Sequence, residues 1–193
     1  MPNATPPKNP PSVMPTYHPL PALLSYLVPG LGQIYQGRVG KGVLFLVCIY
    51  GLFFYGMALG DWKNVYLPDT AKVNDPLGLS RQSPTLANLY NRPQFLGQFW
   101  VGVAAWPAVI QYNSKDPNPV LGSFQRDPGD AVLNELQTNG DKTWDLGWVY
   151  TVIAGVLNIL VIYDAFAGPA FGAAPKPAAP KPDEAPALEK ATP

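Results

Sequence analysis

The residues able to carry chemistry in this 193-residue chain are few and far apart. His18 is the only histidine and Cys48 the only cysteine. One histidine removes most zinc sets and most hydrolytic constellations. One cysteine, set inside an apolar run, removes disulfide frameworks and cysteine-based metal sites. No nucleophile stands beside a partner base, so the chain reads as a non-enzyme with no catalytic, cofactor-binding or metal-binding residue assigned. Gly40-Lys41-Gly42 suggests a phosphate loop, but no strand precedes it, no Ser or Thr follows the lysine, and the spacing is wrong. What remains is a handful of polar groups in apolar surroundings. Asp164 is the one acid inside or at the edge of an apolar block, and a carboxylate placed there is a functional candidate because hydrocarbon penalises an idle charge. The plainer reading is a side chain near a helix end that reaches water. Asn158 lies in the middle of the same block, as a strut between helices or as a ligand. Arg38 and Lys41 flank an apolar block with no acid beside them. They suit anionic lipid headgroups, and equally a purely topological role.

These groups need elements to hold them. Apolar residues make up 47% of the chain, and 13 acidic residues balance 13 basic ones. Zero formal charge without a basic cluster argues against a nucleic-acid partner. The apolar residues gather in four blocks, and most prolines lie outside them. The expected fold is therefore all-α: an integral membrane protein of four transmembrane helices, with disordered proline-rich tails at 1–18 and 168–193. A two-helix transmembrane hairpin fills 19–60. Its first helix, about Pro21 to Gln36, should be kinked or broken by Pro29, with Gly30 and Gly32 admitting another backbone. No small-x-small pattern follows it, so it reads as a retained helix and not a signal peptide. The second helix, about Lys41 to Leu59, is nearly unbroken apolar sequence and carries Gly56-x-x-x-Gly60.

Residues 61–93 read as a polar loop, with Trp62 and Tyr66 where an aromatic belt would lie. The third helix, 94–112, should show a smooth face of Gly97, Val101, Ala104, Ala105 and Ala108. Phe95, Phe99, Trp106 and Ile110 would then face lipid, with a kink at Pro107. The polar loop 113–144 should hold a short surface helix, with Asp127 as its cap and Pro128 in its first position. The fourth helix, 145–167, has the clearest packing face: Gly147, Thr151, Ala154, Gly155 and Asn158 on one side, Val149, Ile153, Val156 and Leu160 on the other.

The run Pro29-Gly30-Leu31-Gly32-Gln33-Ile34-Tyr35-Gln36-Gly37-Arg38-Val39-Gly40-Lys41-Gly42 resembles the signature of the two-transmembrane-helix domain family. In that family a glycine-rich first helix leads through an aromatic, a glycine and a basic residue into a tight turn. Gly32, Tyr35, Gly37, Arg38 and Gly42 occupy the matching places, with Gly40 and Lys41 between. The eukaryotic branch carries an acidic-Arg-Phe turn where this chain has Gln36-Gly37-Arg38, so its receptor-like roles are not carried over. A group of uncharacterised bacterial membrane proteins is similar over more of the chain, with two further helices after the hairpin. Their last helix holds a stretch like Tyr150 to Asn158 and Tyr163-Asp164-Ala165. The resemblance implies a fold and no established activity.

Four spans would put both tails on one side of the cell membrane. The tails and the 61–93 loop carry eight basic residues and the other side five. The short turn 36–41, with Arg38 and Lys41, weighs most in the positive-inside rule. The expectation is a cytoplasmic turn with both tails outside. Functionally, the chain reads as an assembly, scaffold or lipid-contacting component whose partners are the bilayer, anionic headgroups, and other membrane proteins or itself. The alternative is a small oligomeric transporter or channel using Asp164, Asn158 and Gln98 along a polar path.

Overall fold

The computed structural model describes residues 17–68, 78–81, 83–114, 121–139 and 142–168. Apart from Tyr17, His18 and Gly168, the two tails lie outside these residues. Among them the chain is all-helical, with no strand. Two helices are long and apolar enough to cross a membrane: α3, Val39–Leu59, and α8, Thr143–Ala167. Their 21 and 25 residues extend roughly 31 and 37 Å, against a hydrocarbon core of about 30 Å. They pack antiparallel. Gly56 of α3 meets Gly147 of α8 at one end of the pair, and Lys41 meets Asp164 at the other.

The other two apolar blocks are not single helices, which corrects the expectation of four continuous spans. The first is split into α1, Pro19–Leu27, and α2, Leu31–Tyr35. Pro29 lacks the N–H that would continue α1 and its ring clashes with the preceding turn. Gly30 then takes φ +84°, a left-handed conformation that reverses the chain. Nine residues of α1 reach only about 13 Å. The His18 N–H donates to Phe166 O at 2.9 Å, so α1 starts beside the end of α8. It finishes near Asn158, about two turns deeper, where the Asn158 amide donates to Ser25 O at 3.1 Å. From there α2 returns, and the Gln36 side chain bonds Ala165 O at 2.7 Å.

The third block repeats this from the opposite end. It comprises α5, Pro93–Phe99, a 3-10 turn at Val103–Ala105, and α6, Trp106–Asn113. The break falls at Gly102, with φ +87°, and not at Pro107. Pro107 opens α6, where a missing N–H costs nothing. Helix α5 starts beside Asn64, just past the end of α3, and Trp100 O accepts from Asn158 at 2.9 Å. The C-terminal turn of α6 goes back: Gln111 bonds Gly122 O and Phe124 O, and the Tyr112 hydroxyl accepts from Asn88 of α4, Pro84–Asn91.

Two half-depth hairpins thus enter from opposite ends and meet beside α8. Among the described residues, His18, Lys41, Asp164 and Gly168 share one end of the bundle, while Asn64, Arg92 and the start of α8 share the other. Among the remaining expectations, Phe95 is buried in the core with Phe53, Met57, Val101 and Ala154 and does not face outward. Phe99 packs against the same cluster. The presumed loop after α3 is partly interior, with Asn64, Val65, Tyr66 and Leu67 buried. The surface helix α7 is Asp130–Asn139 and starts later than expected. Asp127 accepts from the Gly129 N–H at 3.0 Å and Gly129 has φ +78°, a turn that holds Pro128 outside the helix.

Candidate functional site

Three polar centres lie along the inner side of α8, each built from elements that the chain brings together from far apart. The first joins the signature turn to Asp164. Lys41 Nζ stands 2.6 Å from Asp164 Oδ1, and Arg38 Nη2 stands 2.9 Å from Oδ2. Gln33, fully buried on α2, donates to Asp164 Oδ2 at 3.1 Å and to Val161 O at 2.8 Å. Its own carbonyl accepts from the Ser25 hydroxyl at 2.9 Å, and that hydroxyl accepts from the Gly32 N–H. Arg38 also bonds Gln36. The carboxylate is therefore held by two cations and an amide, leaving one net positive charge at this end of the bundle. Its chemistry is that of a clasp, with its acceptor positions already occupied.

The remaining signature residues divide. Gly30 and Gly42 lie backbone to backbone, so that a Cβ on Gly42 would sit 2.5 Å from Gly30 O. This contact fixes the start of α3 against the hairpin bend. Gly32 lies against Pro21 O inside the hairpin. Gly37 takes φ +80° to make the turn itself. Gly40 faces open space and Tyr35 is exposed, so neither takes part in the clasp.

The second centre is Asn158. Its Nδ2 donates to Ser25 O and to Trp100 O, the tips of both hairpins. Around it Tyr26 of α1 touches the rings of Phe99 and Trp100, with centroids 5.9 Å away in each case. Gly102 lies directly on Tyr26 O and Leu27 O, and Gly155 lies on Gly97 O. One amide thus ties together three elements at the point where regular backbone bonding lapses. Asn158 Oδ1 is buried without a partner.

The third centre closes the far end. Asn64 donates to Gly56 O at 2.8 Å, and Asn64 O accepts from Arg92 at 3.0 Å and from Gln98 at 3.1 Å. Gln98 also donates to Thr151 Oγ1 at 2.7 Å. Gly60 and Gly147 leave room for the Asn64 side chain, which packs against both. The Arg92 guanidinium lies 3.7 Å from the centre of the Tyr66 ring. Burial pushes the Tyr66 phenol above its ordinary range, partly offset by Arg92. Burial likewise pulls the Arg92 guanidinium down, opposed by Tyr66 and Asp127. Asn64 and Arg92 are central here, yet in sequence they are ordinary loop residues, and Gln33 of the first centre is one polar residue of the first helix and its signature run. Only their proximity to apolar blocks hints at burial. No three His, Cys, Asp or Glu side chains gather among the described residues.

These centres define an all-helical protein with two helices of membrane-crossing length and two hairpins that meet between the ends. The chain belongs to the DUF6677 family, a family of unknown function, whose model matches residues 20–178. No curated protein and no solved structure matches it.

Proposed function

We propose that the chain is a non-enzymatic integral protein of the cell membrane, serving as an assembly, scaffold or lipid-contacting component. Its polarity supports this reading by being inverted relative to a water-soluble globule. Ser25, Gln33, Gln98, Thr151 and Asn158 are fully buried, while Val47 is 61% and Leu160 63% exposed, with Leu44, Val156 and Leu157 also outside. Water would oppose that distribution, whereas hydrocarbon requires it. In lipid, irregular backbone survives at depth only where protein encloses it, and Pro29 and Gly30 at one bend and Val101 and Gly102 at the other are buried. The function follows from what the polar groups do: Asp164, Asn158 and Gln98 each hold two or more segments together. A rigid bundle with apolar outer faces on α3 and α8 suits contact with lipid, with other membrane proteins or with a second copy. The net positive charge of the Arg38–Lys41–Asp164 clasp suits anionic headgroups at that end. Placing the turn in the cytoplasm places the tail roots there too. The resemblance of 20–60 to the two-transmembrane-helix hairpin then extends to its turn and second helix, with the first helix folded back. Alkaline extraction of native membranes tests the reading: the protein stays with the lipid fraction, and its release as a monodisperse soluble species would end it.

A second reading rests on one specific observation. Broken helices that meet at depth also surround the substrate sites of transporters, and Asn158 Oδ1 is unpartnered at that meeting point. It predicts an ion or solute flux in proteoliposomes that Asp164→Asn or Asn158→Leu abolishes. Absence of flux from the wild-type chain removes it.

A further inference from the structure

At the end of the bundle away from the Asp164 clasp lies a cavity of about 320 Å³ between α5, α7 and the start of α8. Arg92, Gln94, Trp144 and Asp145 line it, together with the rings of Tyr66 and Trp148. Three of its side chains carry a buried polar atom with no partner: Arg92 Nε, Trp144 Nε1 and Gln94 Oε1. Two unpaired N–H donors and one unpaired acceptor on side chains that line one cavity are costly, each by about 1–3 kcal/mol, unless small rotations of those side chains let an occupant pair with them.

The charges narrow what that something is. An anion alone would satisfy Arg92 and Trp144 but would meet the Asp145 carboxylate, with Asp127 and Asp130 close enough to act on Tyr66. A cation alone would satisfy Asp145 and Gln94 and leave both N–H donors idle beside a like charge. A ligand with an oxyanion and an N–H-bearing ammonium answers every group. The aromatic lining of Tyr66, Trp144 and Trp148 fits the headgroup level of a bilayer, where such rings concentrate.

We propose that this cavity binds a zwitterion of that kind, supplied by the phosphoethanolamine headgroup of a membrane lipid. The phosphate faces Arg92 and Trp144, and the ammonium faces Asp145 and Gln94. The lipid source rests on the membrane reading above, whereas the pocket chemistry stands independently of it.

The test uses the full chain, delipidated in detergent and titrated with short-chain phosphatidylethanolamine, phosphatidylcholine and phosphatidylglycerol, with binding read by native mass spectrometry. Phosphatidylethanolamine should occupy one site about tenfold more tightly than either of the others, since choline cannot donate to Gln94 and glycerol carries no charge for Asp145. Asp145 is exposed, so Asp145→Asn should leave the fold intact. It should weaken phosphatidylethanolamine about fivefold and close the gap to phosphatidylglycerol. Trp144→Phe removes one donor and should weaken all three alike. Equal affinity for the three lipids, no saturable binding, or an unchanged Asp145→Asn would overturn the proposal. Glycerophosphoethanolamine, free of acyl chains, separates the sources: binding as tight as the lipid's overturns the lipid assignment, and much weaker binding supports it. Solubility without detergent would sink the membrane reading alone, and the glycerophosphoethanolamine titration would still judge the pocket.

Discussion

Asp164 and Lys41 meet at 2.6 Å although the whole length of the chain between the first hairpin and the last helix separates them. That contact, with Arg38 at 2.9 Å, closes the bundle at the end where both tails leave it. Because the Asp164 and Arg38 side chains keep 28% and 21% of their exposure, the clasp is only partly screened by solvent. Asp164→Asn retains the amide geometry but strands two cations. Its expected cost is about 1 kcal/mol in detergent-solubilised unfolding, and Asp164→Lys should cost more through like-charge repulsion. A double-mutant cycle with Arg38→Gln should show coupling between the two sites, and additivity would contradict the clasp.

The Asn158 side chain bonds both hairpin tips. Asn158→Leu leaves Ser25 O and Trp100 O without that donor at a fully buried position, where water does not replace it. The expected loss is about 0.6–2 kcal/mol of stability in detergent. Hydrogen exchange at the two tips should rise together, and an effect on one tip alone would contradict the shared strut.

The crossings of α8 depend on the absence of side chains. A Cβ on Gly155 would strike Gly97 O, and one on Gly56 would lie 2.7 Å from Gly147 O. Gly155→Leu and Gly56→Leu should therefore each cost about 1–3 kcal/mol or more, or prevent a monodisperse bundle. Gly51 on the same α3 meets nothing within 4 Å. Gly51→Leu serves as the matched control and should change stability by less than about 0.5 kcal/mol. Equal damage from all three would contradict the packing account.

Much of α8 is legible in the sequence because its packing face is made of small and polar residues and not of its large apolar ones. Gly147, Thr151, Ala154, Gly155 and Asn158 recur at helical spacing among large apolar residues, and all five are buried. The breaks are legible in part. Pro29 announces one through its missing N–H, but the equivalent break at Gly102 has no proline, and Pro107 draws attention to the wrong position. Depth is not legible at all. Nothing local distinguishes an apolar segment that runs the length of the bundle from one that turns back, since the returning halves are held by contacts from distant segments, Asn158 to both tips among them. The Asp164 clasp escapes for a related reason. With four spans, the turn and Asp164 belong to opposite faces, and only the returning first hairpin brings them to the same one. Asn64 and Arg92 are missed because a polar loop reads as solvated, and its burial follows from the space left by Gly60 and Gly147.

Sidedness distinguishes the two architectures most directly. In a Cys48→Ser background, single cysteines at the exposed Gly40 and Lys142 positions, and one near each chain end, are challenged with a membrane-impermeant thiol reagent in sealed vesicles. Two crossing helices with two half-depth hairpins predict that Gly40→Cys and both end cysteines react from one side, and that Lys142→Cys reacts only from the other. Four full spans would instead pair Gly40→Cys with Lys142→Cys and place both ends opposite them, and that result would contradict the account.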